Sequence, residues 1–495
     1  MKIDFLLTQG TIITMDSQRR IIENGALAIH NGRIVKIGKT ENLEPEYQAE
    51  KVINCKHHII LPGLIDAHAH SFESMFKTFL YDCSSWLKIM PYLDNNGVTD
   101  EFYYLDGKLS ALDRLKCGVT TGLISLGCEP RSDDPIFGMN HAKAYAETGI
   151  REIVAIGPGV PPWPRQFSRW KNGNQMTRSV SFDEVMETTE TVIQTWHHGA
   201  NDRIRVFVNP YTIVTSVDPS NPSPPDIAVT LTDFDRLQMR RVRELAQKYH
   251  TRIHSDAFGG MIRMVYKEDF ALLGPDVHLQ HCMGISFDEV CILAETGTHV
   301  SSSPWSGQGI ARCPVPEMLG LGIKVAISTD AYGPGSLFDL FETARKTQLM
   351  HRIINREPFI LPAGKLLEMI TIDAAQVIGW EDEIGSLEEG KKADVITINL
   401  RSPHMVPEFL PVHKVIHQAN GNDVDNVIVD GKLIMENRVV LTVNEEEVLD
   451  AAHAESIKTI ERAGLQEYMN MPEGFWGSSM MNWNGKKKHF TITDI

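Results

Sequence analysis

Hydrophobic and polar positions divide the chain into regions with different periods. From residue 3 to about residue 58, short apolar runs alternate with polar residues, and an Asn-Gly turn at residues 31–32 separates two of them. Such runs joined by tight turns are typical of antiparallel β-sheet. The pattern returns over residues 385–443, so we predict one discontinuous, small β-sandwich domain formed by residues 1–58 and 385–443. Residues 444–495 are predicted to form a C-terminal helix and a polar tail.

Between residues 59 and 384, strand-like runs alternate with helix-like ones. The apolar run that ends at His68 and His70 predicts a first buried strand, continuous from residue 58. Further strands are predicted to begin near residues 118, 152, 205, 251, 277, 298 and 323, with helical spacing between them. Eight β/α units over about 300 residues predict an α/β fold, a (β/α)8 TIM barrel. A doubly wound open sheet is the alternative, but no glycine-rich phosphate turn follows the first strand.

Two long connections, at residues 71–96 and 157–181, are rich in aromatic residues. Both follow strand ends, and the active sites of TIM barrels lie at the C-terminal ends of the strands. Their aromatic side chains would either line an apolar substrate pocket or only pack these connections onto the barrel. The sequence leaves both readings open.

Composition and charge exclude several partner classes. The 495 residues are 42% hydrophobic and carry a net charge of -16, which argues against nucleic acid and anionic membranes as partners. No apolar segment approaches the roughly 20 residues of a membrane span, and no signal peptide is visible at the start. The seven cysteines form no C-x-x-C pair, as expected for reduced thiols of a cytoplasmic protein.

Ligand-type side chains fall at the predicted strand ends: His68 and His70 on the first strand, His254 on the fifth, His281 on the sixth and Asp330 on the eighth. Residues two apart on a strand point the same way, so His68 and His70 can face one point. Three imidazoles and a carboxylate suit one divalent metal ion, with Zn²⁺ favoured over Fe²⁺ or Mn²⁺, and a bound water would become a nucleophile near neutral pH. Asp330 would accept the proton of that water, and His281 would stabilise the developing negative charge.

Several segments resemble the metal-dependent amidohydrolase superfamily, in the branch of atrazine and triazine hydrolases and adenosine-type deaminases. They are LPGLIDAHAH at residues 61–70, CGVTTG at 117–122, LQHC at 279–282 and STD at 328–330. The resemblance implies that His68, His70, His254 and Asp330 are the metal ligands and that His281 is the strand-six histidine. Strand four carries no lysine near its end, which implies one metal ion rather than two.

One departure from that branch bears on the reaction. Its deaminases carry a proton-transferring glutamate three residues after the strand-five histidine, where this chain has Ala257. Asp256 and Glu73 are the candidate replacements, although the first would otherwise be a strand-end cap and the second a surface charge.

The sequence therefore favours a hydrolase that cleaves a non-peptide C–N bond, of the amide, urea or carbamate kind, in a small and partly aromatic or apolar molecule. Deamination or dechlorination of an N-heterocycle is the alternative, and a non-catalytic barrel scaffold is the alternative from another class. A homo-oligomer, a dimer or larger, is also expected.

Overall fold

The structure is a computed structural model that describes residues 1–80, 86–216, 230–268, 270–304, 312–331, 338–471 and 476. Its strands are β1 (Lys2–Ile13), β2 (Ile21–His30), β3 (Arg33–Lys39), β4 (Gln48–Asn54), β5 (His58–Pro62), β6 (Leu64–Ala69), β7 (Val119–Ser125), β8 (Arg151–Ile156), β9 (Arg165–Lys171), β10 (Asn174–Val180), β11 (Ile204–Val208), β12 (Ile253–Phe258), β13 (Val277–Met283), β14 (His299–Ser302), β15 (Val325–Ile327), β16 (Val395–Asn399), β17 (Val424–Val429), β18 (Lys432–Glu436) and β19 (Val439–Val440).

Its helices are α1 (Thr40–Leu43), α2 (Trp86–Gly97), α3 (Phe102–Lys116), α4 (Pro135–Thr148), α5 (Phe182–Trp196), α6 (Gly199–Asp202), α7 (Asp233–Tyr249), α8 (Met261–Tyr266), α9 (Phe287–Thr296), α10 (Val315–Gly320), α11 (Leu340–Asn355), α12 (Ala363–Met369), α13 (Ile372–Ile378), α14 (Pro411–His417) and α15 (Glu445–Arg462), with a 3-10 turn at Ser71–Phe76. Among the helices of these ranges, none has the length and apolar character needed to cross a bilayer.

Eight strands form a parallel sheet in the order β6, β7, β8, β11, β12, β13, β14 and β15 within the described ranges. The first and last strands approach each other through Asp330, whose N–H donates to His68 O at 3.0 Å and whose carbonyl accepts from the N–H of His70 at 3.3 Å. The predicted barrel is therefore confirmed. The backbone hydrogen bonds that join the first and last strands involve three of the predicted site residues, His68, His70 and Asp330.

The predicted first strand is two strands rather than one. β5 belongs to a second sheet, and the chain enters the barrel as β6 after a single residue, Gly63. A Cβ atom at Gly63 would lie 2.1 Å from Thr120 Oγ1, so this close passage requires glycine. The prediction of one continuous strand was wrong because residues 59–62 and β6 are all buried, and hydrophobicity alone does not show a change of sheet.

The second sheet, separate from the barrel, combines strands from both ends of the chain. Its order is β19-β18-β17-β16-β5-β1-β2-β3, with β4 paired to β1. A buried ion pair joins this sheet to the barrel, because Arg151 at the start of β8 donates from Nε to Asp394 Oδ2 at 2.6 Å. A separate sheet domain is thus confirmed, while the exact domain boundaries stay a prediction.

The two aromatic-rich connections contain regular elements. Residues 71–96 hold the 3-10 turn and α2, and residues 157–181 hold the β9–β10 hairpin, which sequence periodicity did not indicate. Phe72 is buried against Phe102 of α3, with ring centroids 5.3 Å apart. The indole N–H of Trp170 donates to a backbone carbonyl at the end of α2 at 2.7 Å. These aromatic side chains pack the connections onto the barrel.

Candidate metal centre

The five ligand-type residues predicted at the strand ends meet at one mouth of the barrel, and all five are buried. His68 lies between two of them: its Nδ1 is 2.7 Å from His254 Nε2, and its Nε2 is 3.4 Å from Asp330 Oδ1. Asp330 Oδ1 is also 3.9 Å from His70 Nε2, and Asp330 Oδ2 is 3.9 Å from His281 Nδ1. The structure therefore brings all five residues together.

This donor set fits a divalent metal ion. Two groups of three residues place their ligand atoms within 4.8 Å of one another among the described residues: His68, His281 and Asp330, and His68, His254 and Asp256. His68 belongs to both groups, and its buried Nε2 has no hydrogen-bond partner in the described part of the chain. Imidazole nitrogens with a carboxylate oxygen are the donors that zinc and related ions prefer.

Backbone carbonyls orient two of these imidazoles. His70 Nδ1 lies 2.7 Å from Gly127 O, and His254 Nδ1 lies 3.1 Å from His278 O. Each ring therefore donates its Nδ1–H outward and keeps the lone pair of Nε2 towards the centre. Such outer hydrogen bonds fix the tautomer and the ring orientation of metal-binding histidines.

The electrostatics of the cluster suit metal binding. Burial and the neighbouring histidines lower the pKa of His70 and of His254, which keeps both imidazoles neutral. Burial raises the pKa of Asp330, but the surrounding imidazoles, first that of His281, outweigh it and hold that pKa well below its usual range. Burial lowers the pKa of His281, yet Asp256 and Asp330 outweigh it and the net pKa is raised.

Two site residues have a left-handed backbone conformation, with φ of 72° at His281 and 64° at Asp330. In β13 the pairing with β12 shifts by one residue after Ala257, so Cys282 is an extra residue in the ladder. The shift interrupts the usual alternation of side chains, and Gln280 and His281 contact each other at 3.4 Å between Nε2 and Nδ1. Non-glycine residues at positive φ are uncommon and cluster at functional sites.

Both carboxylates considered as proton donors are buried. Asp256 Oδ2 lies 3.6 Å from His281 Nε2, inside the cluster. Glu73 lies on the 3-10 turn that follows His70, outside both three-residue groups described above. Burial makes the largest contribution to the raised pKa of the Cys128 thiol, and the charge of Glu73 makes the second largest. Asp256 thus lies within the centre, whereas Glu73 is buried near Cys128 and is not a surface charge; their catalytic roles stay predictions.

Sequence reasoning missed Asp66, which supports the centre from below. Its carboxylate accepts hydrogen bonds from Thr329 N at 3.0 Å, Thr329 Oγ1 at 2.6 Å and Arg114 Nη2 at 2.7 Å. Thr329 directly precedes Asp330, so this network positions the Asp330 carboxylate in the cluster. An aspartate two residues before His68, in an otherwise apolar strand, was the available signal.

Comparison with known proteins agrees with this geometry. A 5'-deoxyadenosine deaminase of Methanobrevibacter smithii is 30% identical over 445 residues, covering 86% of this chain and 92% of the relative. A 5-methylthioadenosine/S-adenosylhomocysteine deaminase of Syntrophobacter fumaroxidans is 28% identical over 455 residues, covering 90% and 96%.

Solved structures share the fold. An adenosine deaminase from Xanthomonas campestris with bound zinc superposes with a TM-score of 0.78 at 19% identity, over 93% of this chain and 99% of that one. An atrazine chlorohydrolase from Arthrobacter aurescens TC1, complexed with zinc, gives a TM-score of 0.75 at 21% identity, over 91% and 100%.

The Amidohydrolase family model matches residues 59–434, which is most of the chain and includes every residue of the centre. The predicted family and the predicted reaction class, hydrolysis of a non-peptide C–N bond, are therefore confirmed. This chain belongs to the amidohydrolase family.

Proposed function

We propose that this protein is a single-metal aminohydrolase that removes an amino group from a small, nucleoside-like N-heterocycle. His68, His70, His254 and Asp330 hold one divalent ion, Zn²⁺ by preference, since the donor set suits it and two structural neighbours contain zinc. When bound, such an ion lowers the pKa of a coordinated water towards about 7.

The position of Asp256 is the observation that supports deamination as the reaction. The sequence favoured amide or urea hydrolysis because Ala257 stands where deaminases of this branch carry a glutamate. A carboxylate is nevertheless present, since Asp256 Oδ2 lies 3.6 Å from His281 Nε2. Relatives at 28–30% identity carry deaminase names, which moves deamination ahead of the amide alternative.

The roles of the side chains follow from their protonation. Asp330, ionised because its pKa is held low, accepts the proton that the attacking water loses. His281, with a raised pKa, donates a hydrogen bond to the atom on which negative charge develops. Asp256, which lies with Asp330 against His281, passes that proton on to the leaving nitrogen, so that water adds at the ring carbon, the C–N bond breaks and ammonia departs.

Amide or urea hydrolysis is the second candidate, and Ala257 favours it. This residue is fully buried in β12, so the carboxylate that deaminases of this branch place at this position is replaced by a methyl group. A methyl group cannot transfer a proton to a leaving nitrogen.

Product analysis separates the two candidates. Zinc-loaded enzyme should release ammonia from 5'-deoxyadenosine or 5'-methylthioadenosine, and not amines from an anilide and N-alkylurea panel. Release of amines without ammonia would instead establish the amide or urea reaction.

Substitutions test the proton donor. D256N should lower kcat about 10²–10⁴-fold, the usual contribution of a general acid, with metal content unchanged. E73Q should be much less impaired, and D183N, which alters an exposed aspartate paired with Arg241, should match the parent. Full turnover by D256N would remove Asp256 from the mechanism.

The homo-oligomer and the cytoplasmic location remain predictions. Static light scattering of the purified protein tests the first of them.

A further inference from the structure

A cavity of about 540 Å³ opens at the end of the barrel opposite the metal centre. Its lining includes Arg205 near the start of β11, Arg252 just before β12 and Asp276 just before β13. The N-terminal ends of the strands therefore form this cavity, whereas the C-terminal ends carry the metal centre. Sites for small molecules typically measure about 300–1,000 Å³, so the cavity has the size of one.

Arg252 is a largely buried cation without a carboxylate in direct contact, although Asp276 and Glu381 lie near enough to raise its pKa against the burial that lowers it. Its Nη2 donates to the carbonyls of Pro275 at 2.8 Å and Val377 at 3.2 Å. Its buried Nε has no hydrogen-bond partner, and no carboxylate of the described residues lies within 4.0 Å of the guanidinium. A buried charge is costly unless it is paired, so an anion in direct contact with this guanidinium would be stabilising.

Arg205 provides a second guanidinium that is held in place. It stacks on Trp380 with 3.8 Å between the guanidinium carbon and the ring centroid, and it donates to Asp202 Oδ2 at 2.9 Å and to Gly379 O at 3.3 Å. The one carboxylate in the cavity lining, Asp276, is already paired with Arg243 at 2.5 Å. Asp202 and Asp276, two acidic groups near the cavity, are therefore already paired with arginines.

His197 adds a neutral donor. Its Nδ1 accepts the N–H of Val206 at 3.1 Å, which leaves the ring proton on Nε2. Burial, then His198 and Arg205, lowers the pKa of His197 to about 4. His197 therefore presents a neutral N–H donor to the cavity, and the neighbouring Arg205 and Asp202 act on its pKa in opposite directions.

We propose that this cavity binds the phosphate group of a small organic molecule, with Arg252 supplying the unpaired charge. A guanidinium group binds two phosphate oxygens through two parallel N–H···O hydrogen bonds. A phosphate bound in this way would also place a negative charge next to Arg252. The cavity is larger than free phosphate requires, so a phosphorylated metabolite is favoured over the bare ion. The site is independent of the deaminase assignment, because none of its residues belongs to the metal centre.

Calorimetric titration of zinc-loaded enzyme tests this proposal. The probes are ribose 5-phosphate, inorganic phosphate and uncharged ribose, at constant ionic strength because salt screens such contacts. Ribose 5-phosphate should bind saturably and ribose should not. R252Q should raise the Kd at least tenfold, and R241Q, an arginine in an exposed pair with Asp183, should leave it unchanged.

A second variant keeps the test independent of folding. Q247E places a carboxylate at an exposed residue of the cavity lining without altering any buried group, and it should weaken binding likewise. Equal affinity for inorganic phosphate would identify the bare ion as the ligand and still support the phosphate site. Binding unchanged in both R252Q and Q247E, or no saturable binding below about 10 mM, would overturn the proposal.

Discussion

Replacing Asp66 by asparagine should destabilise the barrel and disturb the metal centre above it. Asp66 is the only carboxylate paired with Arg114 in the described residues, and both side chains are fully buried. The Nε and Nη1 atoms of Arg114 have no hydrogen-bond partner there, and its guanidinium lies 4.6 Å from the ring centroid of Phe338. D66N would therefore leave a buried guanidinium with no counter-charge.

The expected cost is about 3–5 kcal/mol, the usual price of removing one partner of a buried ion pair. The amide of asparagine accepts at one atom only, so at least one of the two hydrogen bonds from Thr329 is also lost. Because Thr329 precedes Asp330, metal affinity should fall as well. The double variant D66N/R114M removes the stranded charge and should recover about 2 kcal/mol of the loss.

Urea-induced unfolding, followed by tryptophan fluorescence, measures the free energy of unfolding of the parent and the three variants. Bound zinc is counted by elemental analysis in parallel. D183N should show no resolvable change. The importance of the buried pair is refuted if D66N lowers the free energy of unfolding by less than about 1 kcal/mol. It is also refuted if the double variant is no more stable than D66N.

Three further predictions follow from other parts of the structure. Removing the metal with a chelator at neutral pH should abolish hydrolysis and lower the Tm, and added Zn²⁺ should restore both; full turnover by metal-free protein would refute a single-metal enzyme. Burial lowers the pKa of His141, but Glu152 and Asp106 raise it to about 9. Its stabilisation, on the order of 3 kcal/mol, should thus be complete below about pH 6.5 and lost as the pH rises through about 9, and urea midpoints of H141Q should lack this decline. G63A should lower the Tm by several degrees because its Cβ would meet Thr120, whereas G364A, with nothing within 4 Å, should not; equal Tm values would show that the passage at Gly63 is not tight.

The strand order and the convergence of ligands could be predicted because both follow from local patterns. Parallel barrel strands share a direction, so polar residues at their C-terminal ends, such as His254 and Asp330, must meet. Asp256 could be proposed for the same reason, since it follows His254 by two residues on one strand.

Other features depend on contacts between residues distant in sequence. The pairing of Asp66 with Arg114 joins a strand to a helix, and no periodicity reports it. The extra residue at Cys282 depends on the register between β12 and β13, which only the assembled sheet defines. The β9–β10 hairpin was missed because its strands lie mostly at the surface and carry few apolar residues.

The change of sheet at Gly63 has a consequence for how the chain folds during synthesis on the ribosome. β5 emerges early, but its neighbour β16 begins at Val395. At about 5–20 residues per second, the interval is on the order of tens of seconds. The barrel can assemble during this wait, while one side of β5 stays open to other nascent chains. Release of a polypeptide that stops before Val395 would thus leave its amino-terminal strands as a nucleus for aggregation.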